Sequence, residues 1–173
     1  MKLIDKPKPG EYPGYAAMYI DLLPNDGLLL QHLRENLHVT KNLIRALPAE
    51  KLLYRYAENK WTIKEVLVHI IDDERIYAYR ALCFARGEQT PLPGFEQNDY
   101  AANSGANNRD IGNIMEEYEA VRQATIALFN GFTGADFTKT GIANNCTASV
   151  RALGYHLAGH ELHHISLIKE RYL

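Results

Sequence analysis

Trp61-Thr62-Ile63-Lys64-Glu65-Val66-Leu67-Val68-His69-Ile70-Ile71-Asp72-Asp73-Glu74-Arg75 is the stretch whose reading decides the fold. Thr62 and Glu65 form a capping box, in which the threonine hydroxyl accepts the Glu65 amide and the glutamate reaches back to the Thr62 amide. Ile63, Val66, Leu67, Ile70, Ile71, Tyr77, Ala78 and Ala81 then mark one broad apolar face, and Gly87 stands where a helix ends in a left-handed residue. Trp61, just before the cap, is placed to staple the start of the helix on Val66 or Leu67.

The same period extends to both sides. Leu29, Leu30, Leu33, Leu37, Leu43, Ile44 and Leu47 predict a helix from about Asn25 to Ala46, stopped by Pro48. Ile111, Ile114, Met115, Tyr118, Val121, Thr125 and Leu128 predict another over about 110–129, closed by Gly131 and Gly134. After a polar stretch through Asn144 and Asn145, a last helix spans about 148–172, with Thr147 or Ser149 as its cap. Gln89 to Asn108, rich in Pro, Gly, Asn and Asp, is a linker long enough to cross the bundle or cover a site. Residues 1–24, rich in Pro, Gly and Tyr, read as an irregular arm with one short helical turn before Pro24. No stretch reads as a convincing strand. The expectation is an all-α four-helix bundle over 25–173, with its long connection between the second and third helices.

Composition agrees with a single globular domain: 173 residues, 46% hydrophobic and 23% charged. A formal net charge of −2, with Lys and Arg scattered, argues against nucleic acid or a membrane surface as partner and leaves a small-molecule substrate. Cys83 and Cys146 have no paired spacing and read as small apolar residues in a reducing compartment. Without a signal-peptide run or an apolar stretch of membrane-spanning length, the expected location is the cytoplasm.

Chemistry concentrates in the last helix, which carries His156, His160, His163 and His164. Val150, Leu153, Leu157, His160, His164 and Leu167 alternate by three and four, the inward seam of a bundle helix. His160 and His164 are consecutive on that seam. Burying two imidazoles without partners costs about 1–3 kcal/mol each, whereas one divalent ion satisfies both. His69, with Asp73 one turn on, is the candidate third ligand from a facing helix; the alternative for it is a half-exposed helix histidine. Three histidines with an open fourth position suit a catalytic metal site. His32 and His38 read as surface or core-edge residues, and His163 as exposed.

His160-Glu161-Leu162-His163-His164 also satisfies the H-E-x-x-H protease pattern. Only nine residues follow His164, none supplies the downstream glycine and histidine of the extended form, and no sheet is expected to align a peptide. The protease reading is set aside.

Lys60 to Arg75, together with Gly159-His160-Glu161-Leu162-His163-His164 and Glu170-Arg171-Tyr172-Leu173, resembles the DinB/YfiT-like superfamily. Pro91-Leu92-Pro93-Gly94-Phe95 and Asn98-Asp99-Tyr100 are similar to one branch of it. The resemblance implies an up-down-down-up bundle, often a homodimer, and a Zn²⁺ or Ni²⁺ ion on His69, His160 and His164. It also implies chemistry on that ion, in which a thiol-dependent S-transferase comes first, with a low-molecular-weight thiol as cofactor. A metal-dependent hydrolase that activates water is the alternative, and a non-catalytic metal-binding helical module the third reading. Asp73, Glu74 and Glu161 are the acid/base candidates, and Arg75, Arg80, Arg151 or a tyrosine could hold a thiol cofactor's carboxylate.

Overall fold

The computed structural model describes residues 2–173. In chain order it contains α1 (Ala17–Ile20), α2 (Leu29–Arg45), α3 (Ile63–Ala85), α4 (Gln97–Asn103), α5 (Ile111–Gly131), the strands β1 (Thr140–Ala143) and β2 (Cys146–Ser149), and α6 (Val150–Arg171). The four long helices α2, α3, α5 and α6 form the bundle. Their starts follow the caps legible in the sequence. The Thr62–Glu65 box is complete, with 2.7 and 3.1 Å bonds, Asp110 caps α5, and Ser149 rather than Thr147 caps α6.

Side-chain bonds between the helices fix their directions. Asn36 and Thr40 of α2 bond to Ala158 and Glu161 of α6, rising together, so these two helices are parallel. Lys64 reaches the Arg109 carbonyl at the start of α5, and Glu74 meets Arg122 further along both, so α3 and α5 are parallel. Asp73 meets His160 and His156 while His69 meets His160, so α3 and α6 are antiparallel. The order is therefore up-down-down-up. Two successive parallel helices need a connection that returns the length of the bundle, which is why residues 86–110 are so long. That crossover carries α4 and is tied back at the start of α3, where Asn107 accepts the Thr62 hydroxyl and donates to Glu65.

The hairpin is a departure from the all-helical expectation. β1 and β2 pair antiparallel with Ala143 opposite Cys146, so the loop is Asn144-Asn145, both at positive φ (49° and 58°). That is the two-residue turn whose twist matches the strands; asparagine tolerates it, and Asn-Asn is a weaker signal than Asn-Gly. The Leu92 amide bonds Ile142, and Leu92 accepts the Asn144 amide, so the crossover adds to this small sheet. Gly141 lies against the Phe84 ring, where a Cβ would come within 2.1 Å.

The bundle interior holds two apolar clusters. One gathers Leu29, Leu33, Phe84, Phe129 and Leu153; the other gathers Leu37, Val66, Ile70, Ile114 and Ile168. Between them along the helices lie the buried polar residues Asn36, Thr40, Asp73, Glu74, Arg122, His160 and Glu161.

The arm is packed onto this body. Ile4, Ala16, Ile20 and Leu23 are buried in the first cluster. Tyr155 donates to the Ile4 carbonyl (2.8 Å), and Glu11 pairs with Arg151 while accepting the Ser149 hydroxyl. Gly159 meets the α1 backbone so closely that a Cβ would lie 2.0 Å from the Tyr19 carbonyl oxygen. The Arg151 guanidinium holds Glu11 at about 2, below its ordinary 4.5. A carboxylate lowered in the folded state stabilises the fold above its unfolded value and loses that stabilisation as pH falls. Glu11→Gln should therefore be less stable at pH 7 by about 1 kcal/mol, the upper end for a pair so near the surface. The gap between variant and parent should close between pH 4.5 and 2, as urea titrations over that range would show.

Candidate metal centre

His69 sits on the second turn of α3 and faces α6, where His160 and His164 stand one turn apart. All three are buried. His160 Nε2 lies 3.1 Å from His69 Nε2 and 3.1 Å from His164 Nε2, and the three donor atoms fall within 4.8 Å of one another. A neutral imidazole nitrogen either donates or accepts, so His160 Nε2 cannot satisfy both neighbours with one proton as donor and one lone pair directed at a single partner. A tetrahedral ion at about 2.05 Å from each nitrogen would set them roughly 3.3 Å apart, close to the spacing seen. The donor set thus fits a divalent transition metal.

Electrostatics favour the same use. Burial lowers the pKa of His69, takes His160 down to about 3 and pushes His164 well below its ordinary value. Neutral imidazoles are the form that ligates. Asp73, fully enclosed on α3, stands behind them, with Oδ2 3.4 Å from His160 Nδ1 and 3.5 Å from His156 Nε2. Burial alone would raise its pKa; the His160 and His156 rings outweigh that and keep it ionised. A carboxylate on the far nitrogen of a ligand fixes the tautomer and aims the other nitrogen at the ion.

Aromatic rings wall the centre. Trp61 lies 4.7 Å, ring to ring, from His69 and 6.5 Å from His164, and Tyr19 of α1 meets His156, His160 and His163 edge-on at 5.0–5.4 Å. His163 is consequently half-buried rather than exposed, because the arm covers that flank of α6. His156 is buried and stacked on Tyr77 at 4.0 Å, and neither of its ring nitrogens has a hydrogen-bond partner. His164 opens onto a cavity of about 190 Å³ bounded by Tyr56, Trp61, Asn98 and Tyr172, through which a small molecule can approach. His38 is exposed, His32 bonds Asp26, and both cysteines are half-buried and unpaired.

Model matching places residues 32–168 in the DinB superfamily. The chain belongs to that superfamily. It is 27% identical over 128 residues to a "Putative metal-dependent hydrolase" of Oceanobacillus iheyensis, with 73% of each chain covered. Its fold is that of YfiT from Bacillus subtilis, described as a probable metal-dependent hydrolase with an unusual four-helix bundle topology: TM-score 0.74 at 18% identity, covering 86% of this chain and 87% of YfiT.

Two acid/base candidates of this DinB-superfamily chain serve elsewhere. Glu74 accepts from Arg122 Nε and Nη2 (2.8 Å each), and Glu161 accepts from Arg122 Nη2 (2.7 Å), the Thr40 hydroxyl (2.6 Å) and the Tyr118 hydroxyl. Every oxygen of both carboxylates accepts from a neighbour in this buried cluster, and no hydrogen bond joins either to the three histidines. The H-E-x-x-H string likewise points its glutamate away from the imidazole pair. Arg122 was missed from sequence, though a signal existed. It falls between Tyr118 and Thr125 on the apolar stripe of α5, where a charge demands a partner. Arg122→Ala leaves two buried carboxylates without their cation and should cost about 3–5 kcal/mol. Thermal and urea unfolding would show it, with metal content falling alongside.

Proposed function

We propose that this protein is a metal-dependent hydrolase whose divalent ion is held by His69, His160 and His164. The observation that carries the proposal is the convergence of three buried, neutral Nε2 atoms from two helices beside a cavity of about 190 Å³. The printed descriptions of the Oceanobacillus relative and of YfiT support the same class. A divalent ion held by His69, His160 and His164 would supply the activation of water at neutral pH that hydrolysis requires.

The chain's own residues do the rest. The Asp73 carboxylate stands 3.4 Å from His160 Nδ1, where its charge favours the tautomer that carries the proton on Nδ1 and leaves Nε2 free to ligate. Trp61 and Tyr19 exclude water from the ring flanks, which strengthens every charge interaction inside. Asn98 and Tyr56 at the cavity wall offer hydrogen bonds to a substrate's polar atoms.

A thiol-dependent S-transferase is the second reading. One observation favours it: Glu74 and Glu161 are locked on Arg122, so no free glutamate stands ready as a base, and a thiol needs less help in losing its proton than water does.

Elemental analysis with His69→Ala and His160→Ala tests the ligand set. Both variants should lose stoichiometric metal, and full metal in either sinks it. Asp73→Asn should bind metal 10–100-fold more weakly while keeping its helical spectrum. For the reaction, ester or amide hydrolysis that chelation abolishes is the expected result. Conjugation of an electrophile that requires an added low-molecular-weight thiol would instead establish the transferase.

A further inference from the structure

Three arginines lie in the half of the bundle where α3 ends and α6 begins, and the structure treats them differently. Arg151 is paired with Glu11, and Arg75 with Glu117 and Asp72. Arg80 has no ion pair among the described residues, although it is only 5% exposed. Its one protein hydrogen bond runs from Nη2 to the Pro93 carbonyl (2.9 Å), and its guanidinium lies over the Tyr77 ring (4.9 Å) and beside Phe95 (6.0 Å). A guanidinium carries five N–H donors, so four are left over. A guanidinium so nearly enclosed, with free donors and no carboxylate beside it, is poised to receive an anion.

The space around Arg80 is built to admit one. On its outer side lies a groove of about 290 Å³ between α3 and the crossover, with Arg75 at one end and Tyr79, Phe95 and Tyr100 as walls. On its inner side is a chamber of about 20 Å³, room for a single water, bounded by Tyr15, Tyr77 and His156. No Asp or Glu lines either space, in a chain whose net charge is negative. Arg80 is eleven residues beyond His69, roughly 16 Å along the helix at 1.5 Å per residue, and none of His69, His160 and His164 lines the groove.

We infer that this groove is a binding site for a small organic acid with an aromatic body, its carboxylate on Arg80 and its ring between Tyr79, Phe95 and Tyr100. Planar guanidinium and carboxylate match in a two-bond fork, and the aromatic walls reward a flat apolar body. The volume suits a ligand of one ring and a short side chain.

The test is a ¹⁵N–¹H NMR titration of the full chain treated with EDTA, so that no carboxylate can bind an ion, using benzoate, benzamide, acetate and inorganic phosphate. Benzoate should bind at least tenfold more tightly than the other three and shift the amides of Tyr79, Phe95 and Tyr100. Arg80→Gln should raise the benzoate Kd at least tenfold. Tyr100→Ser changes an exposed ring outside the core and should raise it at least threefold, which keeps the test decisive if Arg80→Gln fails to fold. Equal binding of benzoate and benzamide would overturn the site, as would phosphate or acetate matching benzoate, or a benzoate Kd unmoved in the folded variants.

Discussion

Removing a guanidinium from water costs several kcal/mol unless its donors are met and its charge is answered. Arg122 meets that demand by drawing on every helix of the bundle. Its two carboxylates come from α3 and α6, and its Nη1 donates to the Leu33 carbonyl of α2, 2.7 Å away. The Thr40 and Tyr118 hydroxyls complete Glu161. Such a cluster has one arrangement that satisfies all its members, so it fixes how far each helix is rotated and how far it slides. Glu161 follows His160 directly, and Glu74 lies five residues after His69. The registration that the cluster imposes is therefore the registration of the histidines.

This explains a division of labour among residues that look equivalent in one dimension. Asp73 and Glu74 are neighbours on α3, yet one faces the imidazoles and the other the guanidinium. His160 and Glu161 divide in the same way on α6. Successive helical residues point about 100° apart, so adjacent polar residues in a four-helix interior serve different neighbours. The H-E-x-x-H string is an accident of this arrangement, in which the glutamate belongs to the fold and the histidines to the site.

Much of this was legible in the sequence. The capping box at Thr62 and the stripes of the four long helices located the bundle, because propensity, caps and apolar period all agreed there. The seam spacing of His160 and His164 placed them inside, since a helix seam is a local property. Where the sequence reading failed, the deciding contact was distant. The half-burial of His163 depends on α1, more than 140 residues earlier. The hairpin rests on two asparagines whose turn is favoured by pairing more than by their own preference, and α4 was hidden in a crossover whose composition looked irregular. Glu74 and Glu161 could not be separated from Asp73 without knowing where α5 lies.

The contact between Gly159 and the Tyr19 backbone joins the arm to α6, as does the bond from Tyr155 to Ile4. The arm precedes α6 by more than 120 residues, so until α6 is made the arm's apolar residues lack the surface they cover. The helix that supplies two of the three histidines is also the one that completes the core. Closure of the fold and assembly of the metal centre are then a single late event, and a nascent chain that has not yet made α6 presents His69 alone, too few donors to hold an ion.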